Sequence, residues 1–372
     1  MGETLRAVID WDAEIANSIN INRLKLINTS KATIERQVIR SYEKILKNIV
    51  DETTDLFNRA NTDGHWNKSK VIRFNRNKKL ISEINETLKA AGKDYSRLVR
   101  KNMLLVGNAE FNEITSILND FQLIDSLNNF NPGVTQFRKD ILSQDIQGLT
   151  YLERSKKISA AQAISMQEQI NVSQTLGEGI RKTVARVRKV NDIGLASALR
   201  LVRTSTMQTS NLAHILAYER TKIATAWRWD STLDDRTCPI CGMRDQQVFP
   251  FEDNGLIPAH FACRCVATPV LPPKEWDKRG TENVRVDQGR TRIARNPATG
   301  KNYKVSADDT WRDWFKNQSP DVQQGIIGEG KWNLWEENRI KLEQIAPAGN
   351  KQGKIITLKT LTNISNKINP PK

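Results

Sequence analysis

The residues best equipped for chemistry in this chain lie between Asp234 and Cys265. Cys238 and Cys241 make a CxxC pair, and His260, Cys263 and Cys265 make an HxxCxC string further on. All four cysteines of the protein and one of its three histidines thus fall within 28 of 372 positions. Thiolate sulfur and imidazole nitrogen are the donors that a tetrahedral Zn2+ takes, four to an ion. The 21 residues between Cys241 and Cys263 allow one excursion of the chain to bring both halves together. Five candidates compete for four seats. Cys263 and Cys265, two apart, strain a shared tetrahedron, so one of them is expected to stay out, and the sequence leaves open which. The same residues could instead fill a small core as reduced thiols, or form a disulfide pair. Clustering argues against the first, and the second needs an oxidising compartment that no other feature suggests.

The residues around the candidate ligands add to this. Asp234-Asp235-Arg236-Thr237 leads directly into Cys238, a polar turn suited to capping the knuckle or to holding Arg264 in a charge-assisted pair. Adjacent carboxylates invite an acid–base reading, but successive side chains point apart and no His or Ser stands beside them in sequence to complete a catalytic set. No Walker loop, dinucleotide fingerprint or internal repeat occurs, and a protein without enzymatic activity is expected.

One string gathers these residues: Trp227, then Asp234-Asp235-Arg236-Thr237-Cys238-x-x-Cys241-Gly242-x-Arg244-Asp245 with Phe249, then Pro258-x-His260-x-x-Cys263-Arg264-Cys265 and Pro269. It resembles the head-morphogenesis domain of tailed bacteriophages, the Mu F-like minor head proteins, over roughly residues 191–346. The flanks agree: a long Asn- and Ala-containing helix over Thr204 to Ala226, and Trp311-x-x-Trp314-Phe315-x-x-Gln318 followed by Ile326-Ile327-Gly328. Gln246 departs from the pattern, since the family commonly has Gly after the Asp, which puts the turn there in question. The resemblance implies a minor capsid protein of the virion head, made in the host cytoplasm. It implies contact with the phage portal protein and capsid proteins, and a role in head assembly or in DNA packaging or ejection. Because relatives of this domain are sometimes joined to toxin modules, a toxin-linked enzyme is one alternative; a free zinc-dependent nucleic-acid-binding protein is another.

The elements that must position the motif are mostly helical. Apolar residues at 34, 38, 39, 42, 45, 46 and 49 make one stripe at helical period, ended by a turn at Asn61-Thr62-Asp63-Gly64. A second helix is drawn from Lys70 to Ala91 and stopped at Gly92. A third carries Leu104 to Phe121, a loop follows at residues 128–133, and further helices are read over Val134 to Ile146 and Leu149 to Ile170. Gly177 and Gly179 weaken the next stretch, and Gly194 to Thr225 is expected as one long helix, the scaffold for the metal loop. Within it, His214 reads as a core residue. Short strands at Ala226 to Asp230, Gln247 to Phe251 and Val266 to Val270 suit a small antiparallel sheet. Gln288 to Asn302 reads as a flexible basic loop. Trp311, Trp314, Trp332 and Trp335 pair at a spacing of three on two helices, as core residues.

The expected fold is therefore mainly α with a smaller α+β domain: an α-helical region over 1–190, then a small antiparallel sheet packed on helices with a structural zinc clamp over 191–346. A basic, flexible tail is expected over 347–372. Composition bounds the partners. With 57 Lys and Arg against 42 Asp and Glu the net charge is +15, and Glu153 to Arg228 alone holds thirteen basic and five acidic residues. Arg181, Lys182, Arg186, Arg188 and Lys189 are the densest run, suited to packaged DNA without sequence reading or to an acidic protein surface. No stretch approaches the length and apolarity of a membrane span, and the N-terminus lacks a signal-type apolar region.

Overall fold

The computed structural model describes residues 18–19, 21–22, 25, 29, 31–73, 76–120, 134–271, 291–347 and 355–368. The helical stripe becomes α1 (Arg36–Ala60), which buries Val38, Tyr42, Ile45, Ile49, Leu56 and Phe57. It is closed by the hairpin β1 (Asn61–Thr62) and β2 (His65–Trp66), with Asp63 and Gly64 both at positive φ in a two-residue turn. Next come α2 (Lys68–Arg73), the 45-residue α3 (Arg76–Asp120) and α4 (Val134–Ser143). A second hairpin, β3 (Asp145–Ile146) and β4 (Leu149–Thr150), leads into α5 (Tyr151–Thr175) and then α6 (Ile180–Thr221). By its contacts the chain forms two compact units: Lys25–Val106 with Gly133–Thr206, and Met1–Leu24 with Gly107–Pro132 and Met207–Lys372. Asn191, where the motif domain was expected to begin, lies inside α6.

In the first of these units Gly92 and Gly194 mark close approach rather than helix ends. Gly92 does not stop a helix. It sits within α3, where an added Cβ would stand 2.2 Å from Ser159 Oγ of α5. Gly194 is likewise interior to α6, and a Cβ there would lie 2.7 Å from the Gln162 side chain. Each missing side chain lets two helices touch, which outweighs the roughly 1 kcal/mol helix penalty of glycine. The expected helix over Val134 to Ile146 ends early, at Ser143, and the next starts at Tyr151 rather than Leu149. Between them Gln147 and Gly148 turn the chain at φ of +51° and +79°. Thr150 and Glu153 then make a capping box that fixes the start of α5. The first hairpin is held by Trp66, whose indole N–H donates to Thr183 Oγ1 at 3.0 Å and whose ring meets Phe57 edge-on at 4.9 Å.

The second unit holds the cysteines. β5 (Ala226–Asp230) is the centre strand of an antiparallel sheet. It is flanked by β6 (Val248–Phe249) and by β7 (Val266–Val270), which pairs along its whole length from Ala226 opposite Val270 to Asp230 opposite Val266. The short helix α7 (Pro239–Arg244) and a 3-10 turn at Phe251–Leu256 fill the excursion between β5 and β7; the strand expected over Gln247 to Phe251 is only two residues long. Asn211 of α6 stitches helix to sheet, its amide donating to the Cys265 carbonyl at 3.0 Å and accepting from the Ala267 N–H at 2.9 Å. His214, one turn on, is buried, and its Nε2 meets Glu110 at 2.7 Å.

Two expectations fail here. Residues 291–306 of the expected flexible loop are instead a hairpin, β8 (Thr291–Arg295) and β9 (Asn302–Ser306), turned at Gly300; residues 288–290 lie outside the described ones. It is ordered because Arg292 and Ala294 point inward and the Arg295 N–H donates to the Leu233 carbonyl. The described part of the tail is ordered as well: Ile356 N–H donates to the Ile345 carbonyl, and α11 (Leu358–Ile368) buries Leu361 completely. Leu361 joins a core shared with Leu233, Met243, Trp311, Trp314 and Phe315. α8 (Trp311–Lys316), α9 (Pro320–Ile327) and α10 (Glu329–Glu336) thus place Trp311 and Trp314 inside, with Trp332 and Trp335 packed against the same core.

Candidate metal centre

Each donor is placed by a local rule. Cys238 caps α7, with Pro239 at its first position, where a fixed φ and no N–H are an advantage; Cys241 follows one turn on. His260-Phe261-Ala262-Cys263 folds back in a tight turn, Ala262 at φ +60° and the Cys263 N–H on the His260 carbonyl. Cys265 stands at the entry to β7. The five donors come together as Cys238, Cys241 and His260, and as Cys241, Cys263 and Cys265, each trio with its ligand atoms within 4.8 Å of one another. None of the four cysteines is in a disulfide.

The arrangement fits a metal in two respects. His260 Nδ1 lies 2.7 Å from its neighbour's carbonyl, on Phe261, and must be the N–H donor there. In the neutral ring the lone pair is then on Nε2, which faces the Cys238 and Cys241 sulfurs at 3.1 and 3.2 Å. A ligating histidine is fixed in this way, its other nitrogen committed to a carbonyl. Second, the Cys241 and Cys263 sulfurs are 3.7 Å apart, against about 3.8 Å for two thiolates on one tetrahedral zinc. Proton affinity favours metal at Cys238 and opposes it at His260. A hydrogen bond from Cys241, with His260 adding to it against the opposing effect of burial, draws Cys238 down to about 5. Burial lowers His260, but its bond to Cys238 and that thiolate's charge outweigh burial and raise it to about 9, so a proton leaves Nε2 when a metal takes that position.

Around the donors stands a second layer of charge pairs. Asp234 is buried, with 1% of its side chain exposed, and accepts both terminal nitrogens of Arg264 at 2.6 Å. It also takes the Arg236 N–H at 3.1 Å and the Thr237 hydroxyl, also at 3.1 Å. Burial alone would raise its carboxyl, yet the Arg264 bonds hold it below the usual range. Arg264 separates Cys263 from Cys265, so this pair fixes the direction in which both sulfurs point. Asp235 and Arg236 are exposed. The two carboxylates therefore do not converge on one site.

A further set is not visible in the motif. Arg292 of β8 reaches Asp230 at 2.5 Å and Asp245 at 2.8 Å, and Asp245 also accepts the backbone N–H groups of Ser231 and Trp311, both at 2.7 Å. This cluster ties hairpin, sheet and Trp helix to the end of α7. Gly242 completes the join, since a Cβ there would meet the Trp311 ring at 2.1 Å. Asp245 and Gly242 were already in the string that carries the resemblance; Arg292 had only the signal of a basic residue in a loop.

Gln246, the departure from the family's pattern, takes φ +64°, the conformation a glycine would adopt freely. The turn keeps its shape: the Gln246 N–H donates to the Trp229 carbonyl at 2.8 Å. Left-handed backbone costs a non-glycine residue roughly 1–2 kcal/mol. Gln246→Gly is expected to raise the melting temperature, with a gain of up to about 1 kcal/mol after the glycine's added unfolded-state freedom is deducted. Gln246→Val, β-branched, is expected to lower it. Thermal unfolding that moves both variants in the same direction would contradict the strain.

Of the basic run on α6, Arg181, Lys182, Arg188 and Lys189 are exposed. Arg186 is committed: it forms a two-pronged pair with Glu178 at 2.8 and 2.9 Å and a bond to Gln169 at 3.0 Å, and it holds the Glu178 carboxyl down at about 2.

Comparison with known proteins follows the same residues. Residues 153–268 match the family described as Phage Mu protein F like protein. The matched stretch begins well before Asn191 and ends at Thr268, so it contains every candidate metal donor and omits the β8–β9 hairpin and the Trp helices. The chain is also 21% identical over 281 residues to the minor head protein GP7 of Bacillus phage SPP1, across 70% of this chain and 88% of that protein. No solved structure matches the chain. The matched residues 153–268 hold the Asp234-to-Cys241 string and the HxxCRC element, so the chain's similarity to the Phage Mu protein F-like family rests on the residues that build the cysteine cluster.

Proposed function

We propose that this protein is a minor head protein of a tailed phage, a non-enzymatic component of the virion head. In this reading it meets the portal and capsid proteins and acts in head assembly or in packaging or ejecting DNA. The observation that carries the reading is the likeness to minor head protein GP7 over most of both chains, together with the family match that spans the whole cysteine cluster. A structural role accords with the chemistry of the cluster: Asp234, the buried carboxylate that precedes the CxxC pair, has its oxygens occupied by Arg264, Arg236 and Thr237 and is not free to take a proton from a substrate. Cys238, Cys241 and His260, with a cysteine of the 263–265 pair, would hold one Zn2+, and when bound the ion supplies a closed cross-link between α7 and the entry to β7. Cryo-EM of intact particles is the test. Density for this chain next to the portal ring is expected; purified heads that lack the chain would overturn the assignment.

A second part of the reading concerns Arg181, Lys182, Arg188 and Lys189. Exposed on one stretch of α6, they suit phosphate contacts that do not read sequence. If about six phosphates are neutralised, duplex affinity falls roughly a thousandfold between 50 and 200 mM salt. Charge removal at those four positions is expected to flatten that dependence. Arg186→Gln is expected to leave the salt dependence unchanged and to lower stability instead, since it strands Glu178. Affinity that hardly changes with salt would point to an acidic protein partner.

A further inference from the structure

The five donors leave one seat short, and the surroundings of Cys263 and Cys265 differ enough to decide between them. Cys263 sits in the turn that folds back on His260, and its sulfur is already at the separation from Cys241 that two thiolates on one ion adopt. Cys265 belongs to the sheet. Its backbone is held by Asn211, and its sulfur lies 3.6 Å from the Ser231 hydroxyl directly across β5. The single proton of that hydroxyl is given to the Cys241 carbonyl at 2.8 Å, and one of its lone pairs receives the Trp229 indole N–H at 3.1 Å. What Ser231 offers Cys265 is therefore its remaining lone pair, a partner for S–H and a poor neighbour for a metal-bound thiolate. The Trp229 N–H, which also faces the Cys265 sulfur, is already spent on Ser231.

We propose that Cys238, Cys241, His260 and Cys263 form the metal site and that Cys265 stays outside it, bridging the site to Ser231. The assignment rests on the metal reading above. Cys265 acts as a positioning residue: it ties the ligand turn to β5 through Ser231, whose hydroxyl also anchors the Cys241 carbonyl.

Anaerobic titration of the full chain with Co2+ tests this, because the intensity of the thiolate-to-cobalt charge-transfer band counts bound sulfurs. Wild type, Cys265→Ser and Cys265→Ala are expected to give the same intensity and the same d–d bands. Cys265→Ala is expected to lose no more than the roughly 10–100-fold in affinity that removal of a supporting partner costs. Cys263→Ser is expected to lose about a third of the charge-transfer intensity, as three thiolates become two, and more affinity than Cys265→Ala. Should Cys263→Ser fail to fold, the two Cys265 variants still decide. Lower intensity in either of them would overturn the assignment by making Cys265 a ligand. Wild-type protein that takes up no cobalt would instead remove the metal reading itself, and the assignment with it.

Discussion

Chelation of the bound metal is expected to open the chain between Gly242 and Ala259, and to do so before the helices melt. The physical reason is how little else holds this excursion. The 3-10 turn at Phe251–Leu256 buries none of its residues, and β6 pairs only two residues with β5. Ile257 and Met243 are the large apolar anchors that the segment buries fully. Full burial of one such side chain contributes about 1.5–3 kcal/mol, a small return against about 1–2 kcal/mol of backbone entropy for each ordered residue. A structural zinc supplies apparent folding free energy on the order of 10 kcal/mol in small domains, and several kcal/mol here would suffice to fix the excursion. Metal analysis of anaerobically purified protein should find one equivalent per chain. Protease should then cut within residues 242–259 at least tenfold faster in chelator, the factor that about 1.4 kcal/mol of lost local stability produces. Equal cutting with and without chelator, or much less than half an equivalent of metal, would show that the thiols do not form a clamp. Protons compete with the metal for thiolate and imidazole, so the same loss is expected on acidification even without chelator.

How much of this centre was legible in the sequence depends on whether the signal was local. The clustering of the five side chains was, because they lie in two short strings whose residue types are rare elsewhere in the chain. The Asp234–Arg264 pair was also foreseeable, since both residues border the strings they brace. What could not be read was the partner of Asp245. Arg292 lies 47 positions away in a stretch rich in Arg, Asn and Gly, which composition alone makes a mobile loop. The hairpin exists there because alternate residues of β8 turn inward onto carboxylates, a pairing that local propensity does not encode.

The helical half shows the same division. Stripe periodicity found α1 and the turn after it, and the mainly helical character with small antiparallel sheets is what the structure has. Helix ends were misplaced where glycine has two meanings. At Gly92 and Gly194 the sequence offered a breaker, and the fold uses a gap into which Ser159 and Gln162 fit. At Gly148 the same residue type does turn the chain, because Gln147 beside it also accepts positive φ. Nothing within a few residues of these glycines distinguishes the two uses; the neighbour that decides is on another helix.

The largest single-site effect is expected at the buried Asp245. Its two oxygens accept from Ser231, Trp311 and both terminal nitrogens of Arg292, and its side chain is wholly excluded from solvent. Burial raises its carboxyl, with Arg292 opposing, so the pair exists as ions only because each compensates the other. Asp245→Ala leaves a cation in the interior with Asp230 as its remaining carboxylate, and it strands two backbone N–H groups. Breaking a buried pair in this way costs about 3–5 kcal/mol. Arg292→Met should cost less than Asp245→Ala, since methionine fills similar volume and Asp245 keeps its two backbone donors, although it leaves two carboxylates facing each other. The double variant Asp245→Asn with Arg292→Met removes both charges and keeps an oxygen for Ser231 or Trp311, and it is expected to recover part of the loss. Denaturant unfolding of these proteins together with the single Asp245→Asn variant, in the same metal-loaded buffer, closes the cycle and gives the coupling directly. Additive single effects, with no recovery in the double variant, would mean that Asp245 and Arg292 do not act as a pair and that the hairpin is held to the sheet by packing on Ala294 and the Arg295–Leu233 backbone bond.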